Sequence, residues 1–75
     1  MSVKLKLAAC RVNAGYTQRE VAEAIGVTAI TVGNWETGKT VPDMVKGAAL
    51  SELYGIPLGY MDFSLEGNKV RRAVK

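Results

Sequence analysis

Apolar residues recur along this chain at intervals of three and four, and glycines interrupt them at distances that suit short helices. Val3, Leu7 and Cys10 form a first stripe, on a helix that Ser2 can cap and that runs to about Asn13 before Gly15 ends it. Val21, Ala22 and Ile25 make one apolar side of a second helix, and Val32 and Trp35 give a third its seam. Gly26 stands between those two. A glycine after an apolar run reaches the left-handed backbone conformation at little cost, and Thr28 then offers a hydroxyl cap to the helix that follows. The pattern predicts helix, sharp turn, helix over Gln18 to Thr37.

Upstream of that turn, Thr17 caps the second helix, and Glu20 three residues later completes the capping-box spacing. Downstream, Pro42 and Asp43 mark the start of a fourth helix whose inward face is Met44, Leu50 and Tyr54 and whose end is Gly55. Gly47 falls inside it, where glycine costs about 1 kcal/mol relative to alanine, so this position either admits Trp35 or leaves the domain softer. Ile56 and Pro57 lead into a short fifth helix. Leu58 and Met61 are expected to finish the core from it, which leaves Tyr60, Phe63 and Leu65 either as a dimer surface or folded back over the domain. The expected architecture is all-α, a compact domain of five helices over residues 1–65, followed by a basic, mobile tail at 66–75.

The stretch QREVAEAIGVTAITVGNWET resembles the helix-turn-helix of the lambda-repressor-like, or Cro/repressor, family of DNA-binding proteins. Ala22 stands at the close-packed position, Gly26 at the turn, and Val32 and Trp35 at the buried positions of the second helix. TQREVA before it and WETGKTVPD after it resemble the family's usual entry and exit, so the likeness runs from about Leu7 to about Met61. Two positions depart from the family pattern: Cys10 replaces a larger apolar residue and Gly47 replaces leucine.

The resemblance implies a fold, a partner and residue roles. In a docked helix-turn-helix the second helix points its N-terminal residues at base edges in the major groove, while the preceding helix touches the DNA backbone. Carried onto this chain, base approach falls to Ala29, Ile30 and Asn34, with Thr31 and Gly33 close by. Of these, Asn34 has the strongest direct code, because its amide can bond adenine through N6 and N7. Thr17, Gln18, Thr28 and Lys39 become the phosphate contacts, Gln18 sitting where the free N–H groups of a helix start already favour an anion. The resemblance also pairs Arg11 with Glu36, tying the first helix to the third; two independent surface charges are the alternative. The expected function is that of a phage-type repressor or Cro-like transcriptional regulator, a homodimer on a pseudo-palindromic double-stranded operator. An antitoxin or repressor-partner interaction module on the same fold is the alternative.

Composition changes this picture in three ways. Seventy-five residues are near the size at which one core barely suffices, and with one cysteine and no histidine neither an internal disulfide nor a structural zinc site supports it. The net charge of +3 hides an uneven distribution. Lys4, Lys6, Arg11 and Arg19 at one end, and Lys69, Arg71, Arg72 and Lys75 at the other, flank a middle holding all seven acids, an arrangement that suits a polyanion or simply keeps a small domain soluble. Finally, no convergent carboxylate pair or activated nucleophile stands out, so neither an enzyme, a metal, a cofactor nor a small-molecule substrate is expected. No apolar run approaches a membrane span or a convincing signal peptide, so a cytoplasmic protein is expected.

Overall fold

The computed structural model describes residues 4–64, and four α-helices account for most of them. They are α1 (Leu7–Ala14), α2 (Gln18–Ile25), α3 (Ala29–Glu36) and α4 (Met44–Tyr54), followed by a single 3-10 turn at Leu58–Tyr60. The fifth helix expected from sequence is therefore reduced to that turn. Among the described residues no helix is long and apolar enough to cross a membrane. Leu65 and the basic tail lie outside the described residues, as do Ser2 and Val3.

Local chemistry explains where most helices start and stop. Thr17 accepts the Glu20 backbone N–H at 3.1 Å while the Glu20 carboxylate accepts the Thr17 N–H at 2.8 Å, the reciprocal arrangement that its spacing predicts. Asp43 caps α4 by accepting the Lys46 N–H at 2.8 Å, and that bond holds the Asp43 carboxyl below its ordinary pKa. Between α2 and α3, Gly26 has a φ of 88°, so the sharp turn depends on a residue without a Cβ.

The first helix departs from expectation. It begins at Leu7, and its N-cap is Lys6, whose side chain makes no capping bond. Leu5 is held elsewhere. Its N–H donates to the Tyr60 carbonyl at 2.7 Å and its carbonyl accepts from Asp62 at 2.9 Å, forming a parallel bridge with Met61 that keeps the chain extended up to Lys6. A helix drawn back toward Ser2 would need the Leu5 backbone groups for itself.

The core is built from Leu7, Cys10, Val21, Ala22, Val32, Trp35, Leu50, Tyr54 and Met61. It holds the helix-turn-helix seam predicted by spacing, with Ile25 packed at its margin. Burial pushes the Cys10 thiol pKa up, which suits a small hydrophobe rather than a reactive sulfur. Two residues expected to face inward do not. Met44 is 87% exposed and Leu58 47%. Met44 shares a helical face with Gly47, but it belongs to the first turn of α4 and overhangs a groove of about 320 Å³ instead of meeting another element. Leu58 forms part of the groove's lining, because a 3-10 turn replaces the helix that would have carried it inward.

Phe63 covers Gly47. A Cβ added at Gly47 would sit 3.4 Å from the ring, so this glycine admits Phe63 and not Trp35. Phe63 thus folds back over the domain, while Tyr60 stays 60% exposed. Alanine at 47 would meet the ring at ordinary contact distance and remove the cost of a glycine in a helix interior. Gly47→Ala is expected to stabilise the domain by about 0.5–1 kcal/mol, raising Tm by roughly 2–8 °C. A lowered Tm in a thermal melt would mean that the ring cannot adjust.

Candidate nucleic-acid interface

The surface to be explained is the junction of α2 and α3, which pack mainly on each other. At the start of α3, Thr28 accepts the Thr31 N–H at 3.2 Å and its hydroxyl lies 3.0 Å from that of Thr31. The first turn of α3 therefore carries a polar rim. Ile30 rises from it, 76% exposed, an apolar side chain that the core does not use. Thr31, Gly33 and Asn34 are half-buried. Ala29 is half-buried too, and it packs against the core, so the open face expected from Ala29, Ile30, Gly33 and Asn34 rests chiefly on Ile30 and the polar side chains beside it.

At the far end of α3, Thr37 donates its hydroxyl to the Gly33 carbonyl at 3.1 Å, and the chain turns through Gly38 with φ of 77°. That turn brings the Lys39 N–H to the Asn34 carbonyl at 2.8 Å. Lys39 is exposed, so its cation sits beside the end of α3 with its head in water. Asn34 spends backbone groups here, and its side-chain amide has no partner among the described residues. Thr17 and Thr28, the other expected phosphate contacts, are exposed at the N-terminal ends of α2 and α3, where unpaired backbone N–H groups favour anions.

The last turn of α3 is tied to α1 by Arg11 and Glu36. Arg11 Nε donates to Glu36 Oε2 at 2.6 Å, its Nη2 to Oε1 at 3.2 Å, and its Nη1 to the Tyr16 carbonyl at 2.9 Å. The paired side chains are only 17% and 6% exposed. The expected pair is present, and its fork geometry adds direction to charge. The bond to Glu36 raises the Arg11 pKa further above its ordinary value. Beside them Tyr54 is pushed up as well, mainly by burial and then by the Glu36 charge, so its hydroxyl stays protonated and neutral.

One member of this cluster is not visible in the sequence. Gln18 Nε2 donates to Glu36 Oε1 at 2.9 Å, joining the first turn of α2 to the last turn of α3. Spacing along either helix carries no trace of it, because the partners stand in different helices; only the packing of α2 on α3 brings them together. The positive end expected from Lys4 and Lys6 is also partly compensated. Both stand close enough to Asp62 to help lower its carboxyl pKa, after the larger effect of its hydrogen bonds from Ser64.

Comparison with known proteins agrees with this geometry. A family model described as helix-turn-helix matches residues 7–61. The chain is 36% identical over 62 residues to a SPbeta prophage-derived uncharacterized HTH-type transcriptional regulator, YonR, of Bacillus subtilis strain 168. The match covers 83% of this chain and 55% of that relative, so the chain spans about half the relative's length. No solved structure matches it at comparable significance.

Proposed function

Because the chain belongs to the helix-turn-helix family, we propose that it is a sequence-specific regulator of transcription that binds double-stranded DNA through the major groove and performs no catalysis. The observation that carries this reading is the first turn of α3. Thr28 caps it, Ile30 projects from it into water, and Arg11 and Glu36 anchor the last turn of the helix. Thymine methyl groups are suitable cover for the isoleucine side chain that this turn presents.

In this reading α3 lies in the groove, with Ala29, Ile30, Thr31, Gly33 and Asn34 toward base edges. Ala29 contributes at most its methyl, given its packing against the core. Thr17, Gln18, Thr28 and Lys39 line the phosphate side, around the N-terminal ends of both helices and the exit of α3. The protein is a phage-type repressor or Cro-like regulator, a reading that its likeness to a prophage-derived regulator supports. It acts as a homodimer on a pseudo-palindromic operator, with the exposed ring of Tyr60 at the contact between subunits. Phe63 contributes from its seat over Gly47.

Selection of bound sequences from a random duplex pool tests specificity and symmetry together. The expected result is two related half-sites about 34–36 Å apart, one turn of DNA. A pool that emerges unenriched would sink the proposal. A salt series tests the phosphate side: Lys39→Ala should weaken binding to every duplex alike and reduce the slope of log affinity against log salt by about 1, since one fewer counterion is released. An unchanged slope would remove Lys39 from the interface.

A further inference from the structure

Gly33 and Gln18 belong to different helices, yet they share one place on the α2–α3 surface. A Cβ built on Gly33 would lie 3.7 Å from Gln18 Nε2 and 3.9 Å from Gln18 Oε1. Both ends of the amide are thus nearly equidistant from the point where a side chain at 33 would begin. The amide lies in ordinary contact with that point, so a methyl group would fit beside it and a larger side chain would crowd it.

Its orientation is determined as well. The Glu36 carboxylate is already forked by Arg11, and when ionised it only accepts hydrogen bonds. It therefore takes an N–H from Gln18 and would repel the carbonyl of a flipped amide. One N–H of Nε2 is used in this way. The second N–H and the carbonyl oxygen have no partner among the described residues. A donor and an acceptor on one planar amide match the N7 acceptor and N6 donor that adenine shows in the major groove.

The geometry points to Gln18 as a specificity-determining residue: α2 lends its amide, held by Glu36 across Gly33, to the DNA-reading surface of α3, where it recognises an adenine of an A·T pair. This rests on the reading of α3 as the base-facing helix and goes beyond a phosphate contact for Gln18. It also gives Gly33 a role, since bulk at 33 would push the amide away. Glu36 acts here as a positioning residue. The ion pair that holds α3 in place also presets the rotamer of a side chain on its neighbour, so little freedom remains to be lost on binding.

The test compares the wild type, Gln18→Met, Gly33→Leu and the double variant. Methionine keeps the length of glutamine without its donor or acceptor, and leucine at 33 displaces the amide. Each protein is titrated with the duplex selected from the random pool, with all single-base-pair variants of it, and with a scrambled duplex that reports any general loss. Both single variants are expected to lose about tenfold in preference, measured as a ratio between duplexes, at one and the same A·T pair. The double variant should lose no more than either single, because both remove one interaction. Gln18→Met weakening all duplexes equally would make Gln18 a phosphate contact alone and overturn the proposal; so would single variants that flatten different base pairs. Should Gln18→Met fail to fold in a denaturation check, Gln18→Ala decides through the same ratio, because Gly33→Leu also puts bulk on the base-facing side of α3. A wild type without sequence preference removes base reading altogether, whereas a preference that survives both substitutions removes only the role of Gln18.

Discussion

Glu36→Ala is expected to lower the stability of the domain by about 2–3 kcal/mol. That magnitude lies between two limits. Exposed ion pairs contribute about 0–1 kcal/mol, and breaking a fully buried pair costs about 3–5 kcal/mol. Here the Glu36 side chain is 6% exposed, but Arg11 retains 17%, enough for water to reach part of an orphaned guanidinium. Three side-chain bonds end on the carboxylate, two from Arg11 and one from Gln18, and all are lost together. Arg11 would keep its bond to the Tyr16 carbonyl. Most of the loss arises from the charge left without a partner, so Arg11→Met combined with Glu36→Met should recover much of it. Denaturant midpoints of the single and double variants check this. A single variant as stable as the wild type would refute the structural importance of the pair.

Asn34→Ala is expected to act on recognition and leave folding nearly untouched. The amide has no partner in the described residues, so its removal orphans nothing inside the protein. On the preferred duplex the loss should be about 1–3 kcal/mol, the worth of a bidentate amide contact with adenine, and on scrambled DNA close to zero. The preference should flatten at one base pair, distinct from the pair assigned to Gln18. Titration of both duplexes at fixed salt is the measurement. Equal losses on the two would place Asn34 on the backbone, and discrimination would then rest on Ile30, Gln18 and the deformability of the DNA.

What could be read from the chain follows from how far apart the determining residues are. Thr17 with Glu20, Thr28 with Thr31, and Gly26 at the turn act within four residues, so their types and spacing suffice to place α2 and α3. The seam of Val21, Ala22, Val32 and Trp35 follows from helical period in the same way. The start of α1 lies later than its spacing predicts because Leu5 is held by a backbone bridge to a segment near the other end of the described chain, and backbone bonds carry no residue code. Met44 satisfied the period of α4 while lacking anything above it to pack against. Periodicity identifies a face of a helix; it does not say how much of that face another element covers. Gly47 is recognisable in the sequence as a gap, but its occupant, Phe63, approaches from a segment that follows a 3-10 turn and is not helical. At the candidate interface, Arg11 and Glu36 could be paired through family resemblance, whereas the Gln18 bond required the helices to be placed first.

The bridge between Leu5 and Met61 also decides how the domain bears mechanical load. The two segments run parallel, so tension applied before Leu5 and after Met61 drags them past each other in opposite directions. The bonds from Leu5 N–H to Tyr60 and from Asp62 N–H to Leu5 are then strained side by side, in shear, instead of opening one after the other like a zipper. Forced opening is a matter of rate rather than equilibrium stability, and in this domain the first barrier on that route stands at the bridge and at the buried Met61 side chain that belongs to it.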